Sequence, residues 1–167
     1  SHETEQEVLE TLMHFSDHNN VRVQKAMLKL SGDCFYNPDH REIFRMIQQC
    51  FQKQEPFHFV DILVLISRDN KDLHGTMTWL ADNYGKCHAG ESSFEHYVDR
   101  LVILSKLRKQ LTLAEQMIKT VQECSSPEDS QAILAEKINE ISELSYRKSK
   151  HGIDYVEITE DFYNGKM

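Results

Sequence analysis

The 167-residue chain lacks any excess of positive charge: 27 acidic residues outweigh 19 basic ones, for a formal net charge of −8. Gripping a phosphate backbone needs clustered Lys and Arg, so the balance argues against nucleic-acid binding as the main activity. No apolar run reaches the roughly 20 residues of a membrane span, and no secretory signal pattern opens the chain. The four cysteines, Cys34, Cys50, Cys87 and Cys124, are widely spaced and form no C-x-x-C. They read as reduced, mostly buried thiols of a cytoplasmic protein.

Catalytic signatures are missing too. There is no G-x-x-x-x-G-K-[ST] or G-x-G-x-x-G phosphate loop, no H-E-x-x-H and no nucleophile elbow. The sequence therefore offers no catalytic residue, no cofactor and no metal site. His14 and His18, and Cys87 with His88 near His96, lack the tight paired spacing of zinc ligands. They read as surface or helix-end residues. Asp39, beside His40 and Glu42, reads as a partner of a helix dipole before it reads as a general base. Arg100, Lys106, Arg108 and Lys109 form the main basic cluster, which reads as a solvated face of a long helix or as a nucleic-acid contact.

What is present is helical periodicity from end to end. Val8, Leu9, Leu12, Met13 and Phe15 share one side of a first helix, with Thr4 as its expected cap. Val23, Ala26, Met27 and Leu30 line a second helix, which Gly32 is expected to end in a left-handed cap. Asn37-Pro38-Asp39 starts a third, carrying Ile43, Phe44, Ile47, Cys50 and Phe51. Phe35 and Tyr36 precede that cap and are placed to fold back on the stripe as a staple. The run F-H-F-V-D-I-L-V-L-I has strand-like composition, but no partner strand exists elsewhere, so a helix is expected. Met77, Trp79, Leu80 and Tyr84 belong to a fifth helix.

Residues 92–148 predict two long helices. Ser92 with Glu95 forms a capping box before an apolar series that includes Tyr97, Leu101, Leu104, Leu107, Leu111, Ala114, Met117, Ile118 and Val121. Ser126-Pro127-Glu128-Asp129 starts the return helix, with Ala132, Leu134, Ile138, Ile141 and Leu144 as the facing seam. The short connection implies an antiparallel hairpin. Val102, Ile103 and Ile133 are assigned to its outer surface. The fold class is thus all-α: a small helical head (residues 3–91), a helical hairpin (92–148) and a linker or tail (149–167) in which Tyr155, Ile158 and Phe162 keep helical spacing.

Three separated segments carry a family resemblance. F-Y-N-P-D-H-R-E-I-F at Phe35 to Phe44 resembles the F-Y-x-x-x-H-R-x-I-F segment of the N-terminal domain of DnaB-type replicative DNA helicases. The opening E-T-E-Q-E-V-L-E-T-L-M resembles that family's E-A-E-Q-x-V-L-G-x-L-L start. E-S-S-F-E-H-Y-V-D-R-L-V-I-L-S-K-L-R-K-Q-L resembles its A-N-x-x-x-Y-x-x-I-V-x-x-x-x-x-L-R-x-L, and L-S-Y-R-K at the end of the hairpin also fits. The resemblance implies hairpins that pair between subunits, a collar on a hexameric ring, and a docking site for primase or a helicase loader. The ATPase domain of such helicases is not in this chain, so no enzymatic activity is implied.

The resemblance makes Phe35, Tyr36, His40, Arg41 and Phe44 a fold signature. Tyr97, Leu101, Leu107, Arg108 and Leu111 are the expected hairpin interface. Departures are Glu10 where the pattern has Gly, the loop K-C-H-A-G-E, and a tail that only loosely resembles the family's linker helix. Alternatives left open are a stand-alone relative that modulates a host helicase or its loader, and the helicase-binding domain of primase.

Overall fold

The computed structural model describes residues 2–69, 71–83 and 91–146. Every regular element among them is helical. The 149–167 tail, Tyr84, the loop with Cys87 and His88, and the side chains of Trp79, Leu80 and Ser92 lie outside the described residues. The chain divides into two compact units, residues 1–105 and residues from Lys106 onward.

The first unit is built around α1 (His2–Phe15). Val8, Leu9, Leu12 and Met13 are fully buried as the periodicity predicts, but Thr4, Glu5, Gln6, Glu10 and Thr11 are buried as well. The helix is enclosed on nearly all sides, and Thr4 lies within it rather than capping it. Its end is held by two crossing bonds: Ser16 Oγ accepts from the Phe57 N–H at 2.7 Å, and His58 Nδ1 lies 3.2 Å from the Met13 carbonyl.

The second helix, α2 (Val21–Lys29), starts at Asn20, whose side chain accepts from the N–H groups of Arg22 and Val23. It ends with Leu30 in extended backbone, and Gly32 is not a left-handed cap. Gly32–Cys34 instead form a single 3-10 turn. A Cβ there would meet Arg41 Cγ at 3.4 Å, an ordinary contact, so nothing in the structure explains the glycine. The left-handed cap occurs at the end of α3 (Pro38–Lys53), where Gln54 adopts φ 57° and returns its N–H to Cys50 and Phe51.

α4 (Phe59–Arg68) is a helix, as expected, and Asp61 accepts the N–H of His58 at 3.0 Å across its first turn. α5 (His74–Asn83) buries Met77 and ties back to α3 through Thr76 Oγ1, which donates to Asp39 at 2.6 Å. Phe35, Phe44 and Phe57 join Ile43, Ile47, Ile62 and Ile66 in one core. Phe35 stacks on Phe44 with centroids 4.7 Å apart.

The start of α6 (Glu91–Glu123) also belongs to this unit. Phe94, Val98 and Leu101 are buried in the core, and Val102 packs against it rather than facing outward. Ser105 Oγ donates to the Asp33 carbonyl at 3.0 Å, and Lys29 and Lys25 of α2 pair with Asp99 and Glu95. The first turns of α6 are thus anchored to the head as far as Ser105.

In the second unit, α6 continues and reverses at residues 124–126 into α7 (Pro127–Tyr146), giving the antiparallel hairpin. Ser126 Oγ accepts from the Asp129 N–H at 3.2 Å, with Pro127 first in the helix and Glu128 and Asp129 in its positive first turn.

Candidate interaction surface

The signature segment is organised by a residue that periodicity does not single out. Glu5 is fully buried, and its carboxylate accepts from Tyr36 N–H at 2.7 Å, Asn37 N–H at 3.3 Å and His40 Nδ1 at 2.8 Å. Burial pushes the Glu5 carboxyl up. The His40 bond and the two backbone amides outweigh it and hold the group below the ordinary carboxylate range. The carboxylate fixes the backbone just before α3, so Asn37 can cap that helix through the Asp39 N–H.

The other signature residues then have distinct jobs. Arg41 donates to the Phe35 carbonyl through Nε and Nη2. Phe35 and Phe44 fill the core. Tyr36 does not staple: its side chain is 73% exposed, and its contribution to the knot is its backbone N–H. The segments E-T-E-Q and F-Y-N-P-D-H, which carry the resemblance separately in sequence, meet here. Their recurrence in the pattern was the signal that could have found the contact.

Two histidines outside this knot lie against aromatic rings. His18 stacks on Phe51 and meets the edge of Phe57, and His14 lies against Phe15. Among the described residues no group of three or more His, Cys, Asp or Glu could hold a metal ion. Cys34 and Cys50 are buried thiols, Cys124 is a half-buried one, and burial pushes the Cys50 thiol up.

The expected interface residues separate into two groups. Leu101 is fully buried in the head, and Tyr97 is half-buried against the same core. Their side chains serve the head. Leu107 and Leu111 lie beyond it, 53% and 61% exposed, and Arg108 is half-buried. Ile118 at 60% and Val121 at 53% continue the exposed series, and Ile138 on α7 is also exposed. These residues were expected to face the partner helix. The half-buried apolar side chains of the hairpin are Leu113, Ala114 and Met117 on α6 and Leu134, Ile141 and Leu144 on α7.

No described side chain between residues 106 and 144 is buried. Two helices alone have one contact line, and this apolar band is wider than that line. Leu104, Leu107, Leu111, Ala114, Ile118 and Val121 alternate at three and four residues, the spacing of a coiled-coil seam. This leaves a contiguous apolar series exposed along α6.

The DnaB-like helicase N terminal domain family matches residues 1–102, and the chain belongs to that family. The match ends within α6, where the head packing ends. Among solved structures, the N-terminal domain of DnaB helicase from Mycobacterium tuberculosis has a similar fold. Its TM-score is 0.62 at 15% sequence identity, covering 87% of this chain and 95% of that one. No curated protein matches the chain. Among the described residues, no helix is long and apolar enough to cross a membrane.

Proposed function

We propose that the chain is a non-catalytic interaction and oligomerisation module of a replicative DNA helicase. It self-associates through the hairpin, contributes to the collar of the ring and docks primase or a helicase loader. The observation that carries self-association is the coreless hairpin. Leu107, Leu111, Ile118, Val121 and Ile138 each keep more than half of their surface in water, while no side chain of residues 106–144 is buried. Completing the burial of one such side chain is worth about 1 kcal/mol, taking half of the full-burial value. Two facing copies combine these terms against the entropy of association. Membership of the family supports the helicase context, and the resemblance of the signature and hairpin segments supports primase docking.

The test is light scattering of the intact chain beside Leu107→Asp. The wild type is expected to exceed the monomer mass and the variant to fall toward it with an unchanged helical spectrum. Primase docking is tested separately, by titrating labelled primase with the wild-type chain. Absence of saturable binding would remove that part of the proposal.

A further inference from the structure

The enclosure of α1 carries polar groups inward with it. Gln6 and Glu10 are each 4% exposed. Gln6 Oε1, Glu7 Oε2 and Glu10 Oε2 are buried with no hydrogen-bond partner. Spacings of three and four residues put Glu10 on one helix face with both of the others. All three atoms are acceptors when the carboxyls are ionised, and buried acceptors without donors are costly.

Gln6 Nε2 donates to His2 Nε2 at 3.1 Å, so that ring nitrogen is an acceptor and brings the group no donor. Other basic groups are engaged elsewhere. On α3, His40 is bonded to Glu5, and ahead of α4, His58 turns to the Met13 carbonyl. Lys25 and Lys29 of α2 pair with Glu95 and Asp99 of α6. His14, one turn further along α1, is exposed and lies against Phe15. Among the described residues, the charge whose field acts on Glu10 is that of Glu7. What the group lacks is a donor, and the smallest donor is a proton.

We propose that the folded head holds a proton on the Gln6–Glu7–Glu10 group at neutral pH. Glu10 is the carboxylic acid, Gln6 Oε1 or the Glu7 carboxylate is the acceptor, and loss of the proton loosens α1. One proton turns an acceptor into a donor and satisfies a second buried oxygen at the same time. Burial first, and the Glu7 charge second, push Glu10 up to about 7 from its ordinary 4.5. Between these values the folded chain binds more protons than the unfolded one. Stability therefore falls as pH rises through this window and is level on either side of it. The pattern that the opening segment resembles has Gly at this position, so the device belongs to this sequence.

The test compares urea melts of the full wild-type chain and Glu10→Gln, which keeps the shape and does not titrate. Ionising groups not coupled to Glu10 contribute equally to both proteins. From pH 4.5 to 7.5 the wild-type folding constant is expected to fall relative to the variant's by on the order of a hundredfold. Parallel pH profiles would overturn the proposal. Carboxyl carbon NMR of the wild type needs no variant: a Glu10 titration near neutrality supports the proposal, and one in the ordinary carboxylate range overturns it.

Discussion

Replacing Glu5 by Gln probes the head at its most connected side chain. The change preserves shape but removes the charge and converts one carboxylate oxygen into an N–H donor. Three donors now converge on that carboxylate, from Tyr36, Asn37 and His40. In the variant the amide oxygen keeps one edge, and the amide nitrogen faces a donor on the other. A charge-assisted bond is worth about 1.5–3 kcal/mol, and an orphaned buried donor costs about 1–3 kcal/mol. Reorientation of the His40 ring recovers part of the loss, so a net destabilisation of about 2–3 kcal/mol is expected. In urea that is a midpoint shift of roughly 1–2 M, read by far-ultraviolet circular dichroism.

The pH dependence adds a second readout. The folded Glu5 carboxyl is held below its ordinary value. Its contribution is therefore complete above the unfolded-state value and lost as pH falls through the folded one. The wild type should lose stability in acid through this term, and Glu5→Gln should lack it. A neutral-pH change under about 0.5 kcal/mol, or the same acid profile in both proteins, would refute the assigned role of Glu5.

Two further substitutions test the packing. Gln54→Gly relieves a non-glycine residue at φ 57° and should raise stability by about 0.5–1 kcal/mol, measured in the same urea melts. Leu101→Ala opens the head core and should cost about 2–5 kcal/mol, whereas Leu111→Ala should barely alter the melting of dilute protein while weakening self-association. Equal melting losses for the two would contradict the assignment of Leu101 to the head and Leu111 to an open face.

Local signals on α3 and α7 were fully legible. Asn37-Pro38-Asp39 and Ser126-Pro127-Glu128-Asp129 each carry a cap, a first-position proline and an acid in the first turn, and each starts a helix in place. The α4 run was legible only by elimination, since its composition suits a strand and only the lack of a partner strand decides for a helix. Less legible was what each face meets. Periodicity shows that α6 has an apolar stripe; it does not show that the stripe serves the head as far as Ser105 and is left open beyond it. Gly32 illustrates the same gap, because it opens a 3-10 turn rather than closing α2 as a left-handed cap. Glu5 is the clearest case: an acidic residue in a first turn looks like a dipole partner, and its union with His40 spans 35 positions. Only the joint recurrence of the two segments in a family pattern hinted at it.

The account rests on the hairpin being an unfinished interface. Its most direct measurement is the molar mass of the intact chain by light scattering across a dilution series, beside Leu107→Asp. The account predicts a mass at micromolar concentration above the 19.6 kDa monomer, falling on dilution, and a variant shifted toward the monomer with its helical content intact. A wild type that stays at the monomer mass at every concentration, or an associating variant indistinguishable from it, would contradict the claim.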